Sequence, residues 1–475
     1  MNLCKNYRLY IDGRPHPVEK ARVSRFPLNR NWPGHQRPLE QTEVTGFASF
    51  PADGGADVRI ECDFAFEEVV VRPLSLGIKP DVQGSAVSFR VERPCQATVE
   101  FDGISGALHL FADPARQYVL PKENLLYFGR GEHDVGRITL KSGQTVFLDE
   151  GAVVYGEIYA EDVENVAILG KGILDHSKAE AAVEDTDFID PPRPSPIEIR
   201  YSKSVLIRDI VVRDPCFLAV RPICCEDVHI DNIKIIGCWR YNSDGIDLIN
   251  SRNCLIENCF VRSFDDSLCL KGFCYPFADQ MRHNGKVYDL MENVTFRNCV
   301  VFNDWGKALE VGVDICAAEI RSCRFENCDV IHATHSIMDV SNVDYADVHD
   351  IVFENNRAEY GEVSYPMVYQ YTDEQEYPGA SADYMPLLIM NAVYYSEVYS
   401  SPGERRGKIR DITFRDISVT APRMPPSLFS GFNPEYGVEN VTVSGLRLNG
   451  QPVSGMEQAN FEVRDFVKNL RVEQE

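Results

Sequence analysis

Asn253-Cys254-Leu255-Ile256-Glu257-Asn258-Cys259 recurs as Asn293-Val294-Thr295-Phe296-Arg297-Asn298-Cys299 and again as Ser322-Cys323-Arg324-Phe325-Glu326-Asn327-Cys328. In each copy a polar residue precedes a small apolar one, a variable one, and Ile or Phe. Two positions further stands Asn, then Cys. Such alternation marks a strand with one buried face. Working outward, the same pattern appears at Asn165–Ile168, Ser204–Ile207, Asp227–Ile230, Asp350–Phe353, Asp411–Phe414 and Asn440–Val443. Successive copies lie 39, 23, 26, 40, 29, 28, 61 and 29 residues apart. A floor near 23, with insertions on top, is the signature of a solenoid. Each coil needs a fixed set of strands and turns, while its loops are free to grow. The chain therefore reads as an all-β protein dominated by a parallel β-helix. Stacking about 4.8 Å apart should set equivalent Asn and Cys side chains in internal ladders. Cys254, Cys259, Cys299, Cys323 and Cys328 are then core or ladder residues rather than metal ligands.

Upstream the rhythm changes. Val58, Ile60, Cys62 and Phe64 alternate with Arg59, Glu61 and Asp63, and short strands follow around Val87–Val91, Val99–Phe101 and Leu108–Leu110. Gly and Pro turns separate them, which predicts a small antiparallel β-sandwich over residues 1–118. The β-helix would then occupy 119–475, with a Tyr-rich insertion at about 361–408. The 475 residues carry 48 Lys+Arg against 72 Asp+Glu, a net charge of −24. That balance repels nucleic acid and anionic membranes, so neither is expected as a partner. No apolar run is long enough to span a bilayer, and the first residues lack a secretory h-region. Fifteen cysteines without CxxC pairs suit a reducing, cytoplasmic setting.

Four coils overlay without gaps: Asp244-Gly245-Ile246-Asp247-Leu248, Asp266-Ser267-Leu268-Cys269-Leu270, Lys307-Ala308-Leu309-Glu310-Val311 and Ser336-Ile337-Met338-Asp339-Val340. Ile246, Leu268, Leu309 and Met338 should point inward. Asp247, Cys269, Glu310 and Asp339 should face solvent. Asp244 and Asp266 stand 22 residues apart, one coil, and so should be neighbours. Beside them fall Asp265, Trp305, Lys307, Lys271 and His335. Crowding raises the pKa of at least one carboxyl. Two carboxyls with separated pKa values are what acid/base cleavage of a glycosidic bond requires.

These residues also resemble a known group. Asn242-Ser243-Asp244-Gly245-Ile246-Asp247 is similar to the Asn-Thr-Asp-Gly motif of family 28 glycoside hydrolases, the polygalacturonases. Asp265-Asp266, an apolar strand and Lys271-Gly272 resemble their Asp-Asp motif, and the likeness runs from about 120 to 450. The resemblance implies a right-handed, pectin-lyase-like β-helix and cleavage that inverts the anomeric centre. It implies Asp265 as general acid, with Asp244 and Asp266 holding and activating the water. Asp247, Lys271, Trp305, Lys307, Glu310, His335 and Asp339 are the expected substrate-binding residues. The family's Gly-His-Gly falls at Gly306-Lys307-Ala308, and its Arg-Ile-Lys at Ile337-Met338-Asp339. Ile337 cannot neutralise a uronate, and Asp339 would repel one. A neutral glycan is therefore expected, as for the related family 49 dextranases and isopullulanases, which also carry an N-terminal β-sandwich.

Nine of the 21 tyrosines lie between Tyr360 and Tyr399. They suit either sugar stacking or a packed flap. His332 and His335 form an HxxH that need not converge on a strand-turn, so no metal and no cofactor are expected. Three other readings stay open, the first a polygalacturonase acting on galacturonan, in which Lys307 meets the anionic group. A β-helical lyase would bind Ca²⁺ through Asp244, Asp247, Asp265, Asp266 and Glu310. A non-catalytic carbohydrate-binding solenoid would bind sugar without turnover.

Overall fold

The computed structural model describes residues 6–25, 39–179, 194–273, 277–362, 364–367 and 379–473. Two five-stranded sheets form the N-terminal sandwich. One joins Tyr7–Ile11, Arg14–His16, Ala56–Cys62, Asp81–Gln83 and Ala86–Val91, all antiparallel. The other joins Glu19–Ser24, Thr42–Pro51, Val69–Arg72, Cys95–Phe101 and Leu108–Asp113. Here one pairing, Leu108–Asp113 with Thr42–Pro51, is parallel, a departure from the purely antiparallel expectation. Val58, Ile60, Val87, Val99 and Leu110 fill the space between the sheets.

Beyond the sandwich, each coil places one strand on each of three parallel faces. The first face stacks twelve strands, from Leu125–Phe128 to Val467–Glu473, and includes every copy of the repeat. Its corners explain the repeat's composition. Asn253, Asn258, Asn293, Asn298, Asn327 and Asn355 all adopt left-handed backbone, with φ between 52° and 57°. Asn tolerates that region far better than branched residues do.

The ladders are real but only partly internal. Phe296, Phe325, Phe353 and Phe414 stack inside, with centroids 4.8, 4.8 and 4.9 Å apart. Cys259, Cys299 and Cys328 are fully buried beside them. The Asn ladder runs instead along an outer corner. Asn298 donates to Asn258 at 3.3 Å, Asn327 to Asn298 at 2.6 Å, and Asn355 to Asn327 at 3.1 Å. Asn258, Asn298, Asn327 and Asn355 stand just past the ends of their strands, so their side chains leave the core face.

The second face carries Ile173–Asp175, Val211–Arg213, Lys234–Ile236, Phe260–Ser263, Val300–Asn303 and Asp329–His332. Its outward Ile173, Val211, Ile236, Phe260, Val300 and Ile331 meet Ala21, Val23, Phe47 and Phe111 of the sandwich in one apolar seam. Buried polar links tie the seam: Lys234 Nζ to Asp113 at 2.5 Å, and His332 Nε2 with Glu100 at 2.5 Å. His332 is thus a seam residue, whereas His335 lines a cavity on the third face. Among the described residues the apolar contacts of the sandwich fall on the second face and leave the third uncovered. That face holds Val220–Ile223, Ile246–Ile249, Leu268–Lys271, Lys307–Val311, Ser336–Asn342 and Leu387–Val393.

Candidate active site

On the third face the four overlaid coils pair in the predicted register. Ile246 meets Leu268, Leu268 meets Leu309, and Leu309 meets Met338. All four are fully buried in the helix core. Asp247, Cys269, Glu310 and Asp339 form the alternate, outward row through the same pairings. They were expected to face solvent, yet each is 0% exposed. Two lysines account for this. Lys271 Nζ lies 3.4 Å from Asp247, and Lys307 Nζ lies 2.6 Å from Glu310 and 3.6 Å from Asp339. The three acids form a buried layer beneath the lysines, and burial pushes Asp247 and Glu310 well above the usual carboxylate range. Asp339 also accepts from Ser336 Oγ at 2.7 Å.

The turns that precede these strands carry the remaining carboxyls, and two glycines let them close. A Cβ at Gly245 would stand 2.3 Å from the Ser267 carbonyl oxygen, and one at Gly306 would stand 2.7 Å from Asp265 Oδ1. Glycine therefore permits the Asp244 turn to sit on the Asp266 turn, and the Trp305 turn to sit on Asp265. Asn303 Nδ2 donates to the Asp265 carbonyl at 2.7 Å, and the Lys307 N–H donates to Asp266 Oδ1 at 3.0 Å. Lys271 Nζ donates to Asp244 Oδ2 and to Asp266 Oδ2, both at 2.8 Å.

These turns open into a cavity of about 250 Å³. Asp244, Asp265, Asp266, Lys271, Trp305, Lys307 and His335 line it. Asp247, Glu310 and Asp339 lie behind its wall. Phe217, Leu218, Ile249 and Met390 form an apolar side, while Tyr394 and Tyr399 bring the described part of the Tyr-rich segment to the wall. Tyr369, Tyr371 and Tyr377 lie outside the described residues. Tyr384 is a packing residue whose hydroxyl donates to the Thr334 carbonyl at 2.5 Å.

Electrostatics separates the carboxyls. Burial raises Asp265, and the charges of Asp266 and Asp244 raise it further, so it holds a proton well above the usual carboxylate range. Burial also acts on Asp266, but Lys271 and then Lys307 outweigh it and keep that group ionised. Asp244 lies between them. Burial lifts it to about 6 against the opposing pull of Lys271. Burial alone would discharge Lys271, yet Asp244, Asp266 and Asp247 hold it protonated. Burial and Lys307 push His335 down, which keeps it neutral. An ammonium shared by Asp244, Asp247 and Asp266 sits among the very carboxylates that a Ca²⁺ site would need. A calcium ion would have to displace it.

Two further groups belong to the site. Arg221, 1% exposed, is ion-paired with Glu198 and lies one coil before Asp247 in the same outward row. Extending the four-coil overlay back by one coil would have found it. Asp314 follows the Lys307–Val311 strand and lines the cavity. No repeat position marks it, because it stands in an irregular turn.

Residues 133–281, which contain Asp244, Asp265 and Asp266, match the family model described as glycosyl hydrolases family 28. The protein named "Putative galacturan 1,4-alpha-galacturonidase A" from Aspergillus niger is 27% identical over 149 residues, 26% of this chain and 33% of that protein. Its namesake from Aspergillus flavus is 24% identical over 147 residues, again 26% of this chain and 33% of the relative. The chain thus spans about a third of the length of these curated relatives. Among solved structures, Dex49A from Penicillium minioluteum matches 99% of this chain and 94% of its own, with a TM-score of 0.68 at 14% identity. A hyperthermoactive exopolygalacturonase from Thermotoga maritima matches 74% of this chain and 84% of its own, with a TM-score of 0.53 at 17% identity. At such identities the structural likeness bears on the fold. For Dex49A the match extends over the sandwich as well as the β-helix of this chain.

Proposed function

We propose that this chain, a β-helical protein of the family 28 and family 49 glycoside hydrolase type, hydrolyses glycosidic bonds of a neutral oligo- or polysaccharide with inversion. The observation that carries this reading is three adjacent carboxyls with unequal surroundings: Lys271 Nζ lies 2.8 Å from Asp244 and from Asp266, which favours an ionised Asp266, while burial and the acidic neighbours favour a proton on Asp265. Asp265 gives its proton to the departing glycosidic oxygen as the bond to the anomeric carbon breaks. A water held by Asp244 and Asp266 attacks that carbon and passes its proton to Asp244, the stronger base of the two. Asp266, clamped by Lys271 and the Lys307 amide, orients the water.

Charge supports a neutral substrate. The cavity's cationic residues are Arg221, Lys271 and Lys307, and each is matched by acid: Glu198, Asp244 with Asp266, and Glu310. A uronate would meet no uncommitted cation among the described lining residues. Galacturonan is the second reading, favoured by the names of the curated relatives. A glycan panel with reducing-end detection decides between them. Neutral α-glucans and galactans are expected to be turned over, whereas turnover of polygalacturonate alone would overturn the charge argument. A pH profile tests the roles. With Asp244 near 6, kcat/KM should fall about tenfold per unit below that pH, as the base takes up a proton. An alkaline limb should follow as Asp265 loses its own. A flat profile between pH 4 and 6 would exclude Asp244 as base. The thirteen described cysteines are all free, and all but Cys95 are buried. On this reading the enzyme works in a reducing, cytoplasmic compartment.

A further inference from the structure

We propose that Asp314 determines substrate specificity: its carboxylate receives sugar hydroxyls in the cavity and turns away a sugar that carries its own carboxylate. The inference rests on the neutral-glycan reading above and deepens it. Asp314 shares the cavity wall with Asp244, Asp266, Lys271 and Gly272, but lies outside the three-aspartate set. Its Oδ1 is buried and has no hydrogen-bond partner among the described residues. Buried carboxylate oxygens are normally satisfied, because leaving one unpaired carries the full desolvation penalty. The Asp314 side chain is only part-buried on the cavity wall, so a small turn of the carboxyl brings an oxygen to a ligand, and hydroxyl groups are the donors that a neutral sugar presents.

The backbone fixes where that oxygen stands. The Gly272 N–H donates to the Asp314 carbonyl at 2.5 Å, and the Cys316 N–H donates to the Phe273 carbonyl at 2.9 Å. A Cβ on Gly272 would come within 2.8 Å of the Cys316 nitrogen, so the segment is seated directly on the end of the Lys271 strand. The apolar wall of Phe217, Leu218 and Met390 gives the ring's C–H face a surface, leaving its hydroxyls for the polar side. A uronate carboxylate there would meet Asp314 with the neighbouring lysines already committed to Asp244, Asp266 and Glu310.

The test compares wild type, Asp314→Asn and Asp314→Glu in the full chain. kcat and KM are measured on the best neutral glycan of the panel and on oligogalacturonate, beside thermal melts. For Asp314→Asn we expect KM on the neutral glycan to rise about tenfold or more while kcat falls less than about threefold, the pattern of lost ground-state binding. The ratio of kcat/KM for oligogalacturonate over the neutral glycan should rise as well. Unchanged KM and ratio would overturn the role of Asp314 and leave the hydrolase reading intact. So would a loss of kcat and melting temperature together in both variants, which would mark a structural residue. A wild type that cleaves only oligogalacturonate would overturn the underlying reading and this inference with it.

Discussion

Asp265→Asn is expected to lower kcat by about 10²–10⁴-fold, the contribution of a positioned general acid, while the fold is kept. The two halves of this expectation have the same cause. Asp265 is buried to 8% exposure and holds its proton against the charges of Asp266 and Asp244. A neutral amide therefore replaces a neutral acid of the same shape, and the cluster gains no charge. The melting temperature should stay level or rise. What the amide cannot do is deliver a proton to a leaving oxygen, so the alkaline limb of the pH profile should vanish with the rate. Near-wild-type turnover by this variant on the true substrate would remove Asp265 from the mechanism.

Lys271→Met should act on stability and rate together. The ammonium lies 2.8 Å from Asp244, 2.8 Å from Asp266 and 3.4 Å from Asp247, and the lysine side chain is only 10% exposed. Removing one partner of a buried ion pair leaves uncompensated charge and costs about 3–5 kcal/mol. Here Asp244 and Asp266 lose the same partner at once. The sign of the pH dependence follows. Without Lys271, Asp244 and Asp266 titrate higher in the folded chain than in the unfolded one. The folded state is then least destabilised at low pH, where both are protonated, and loses stability as pH rises through their folded values. Urea unfolding should show the largest deficit near pH 8 and a partial recovery near pH 5. A variant as stable as wild type at pH 8 would show that the lysine is not the counter-ion described.

The solenoid was legible because its rule is periodic. Apolar Ile246, Leu268, Leu309 and Met338 had to face one core, and the pairing confirms their register. The same rule also placed Asp244 beside Asp266. It could not say how deep the outward row lies. Asp247, Glu310 and Asp339 read as surface acids because strand alternation distinguishes inward from outward, not exposed from covered. Their cover comes from Lys271 and Lys307, long side chains that fold back over the sheet. Asp314 was illegible for a different reason: an irregular turn after Val311 obeys no repeat. The Asn positions were found, but their geometry was misjudged. Their place just past the strand ends turns them out to the corner, whereas Phe296, Phe325, Phe353 and Phe414 build the internal stack.

In the proposed mechanism Asp265 protonates the leaving group while Asp244 and Asp266 direct a water to the opposite face of the sugar. Proton NMR of the first sugar released from the preferred glycan, read before the anomers equilibrate, tests it most directly. Product of the opposite anomeric configuration to the bond cleaved is the predicted result. Product that retains the configuration would require a covalent glycosyl intermediate, and would contradict the assignment of Asp244 and Asp266 to water.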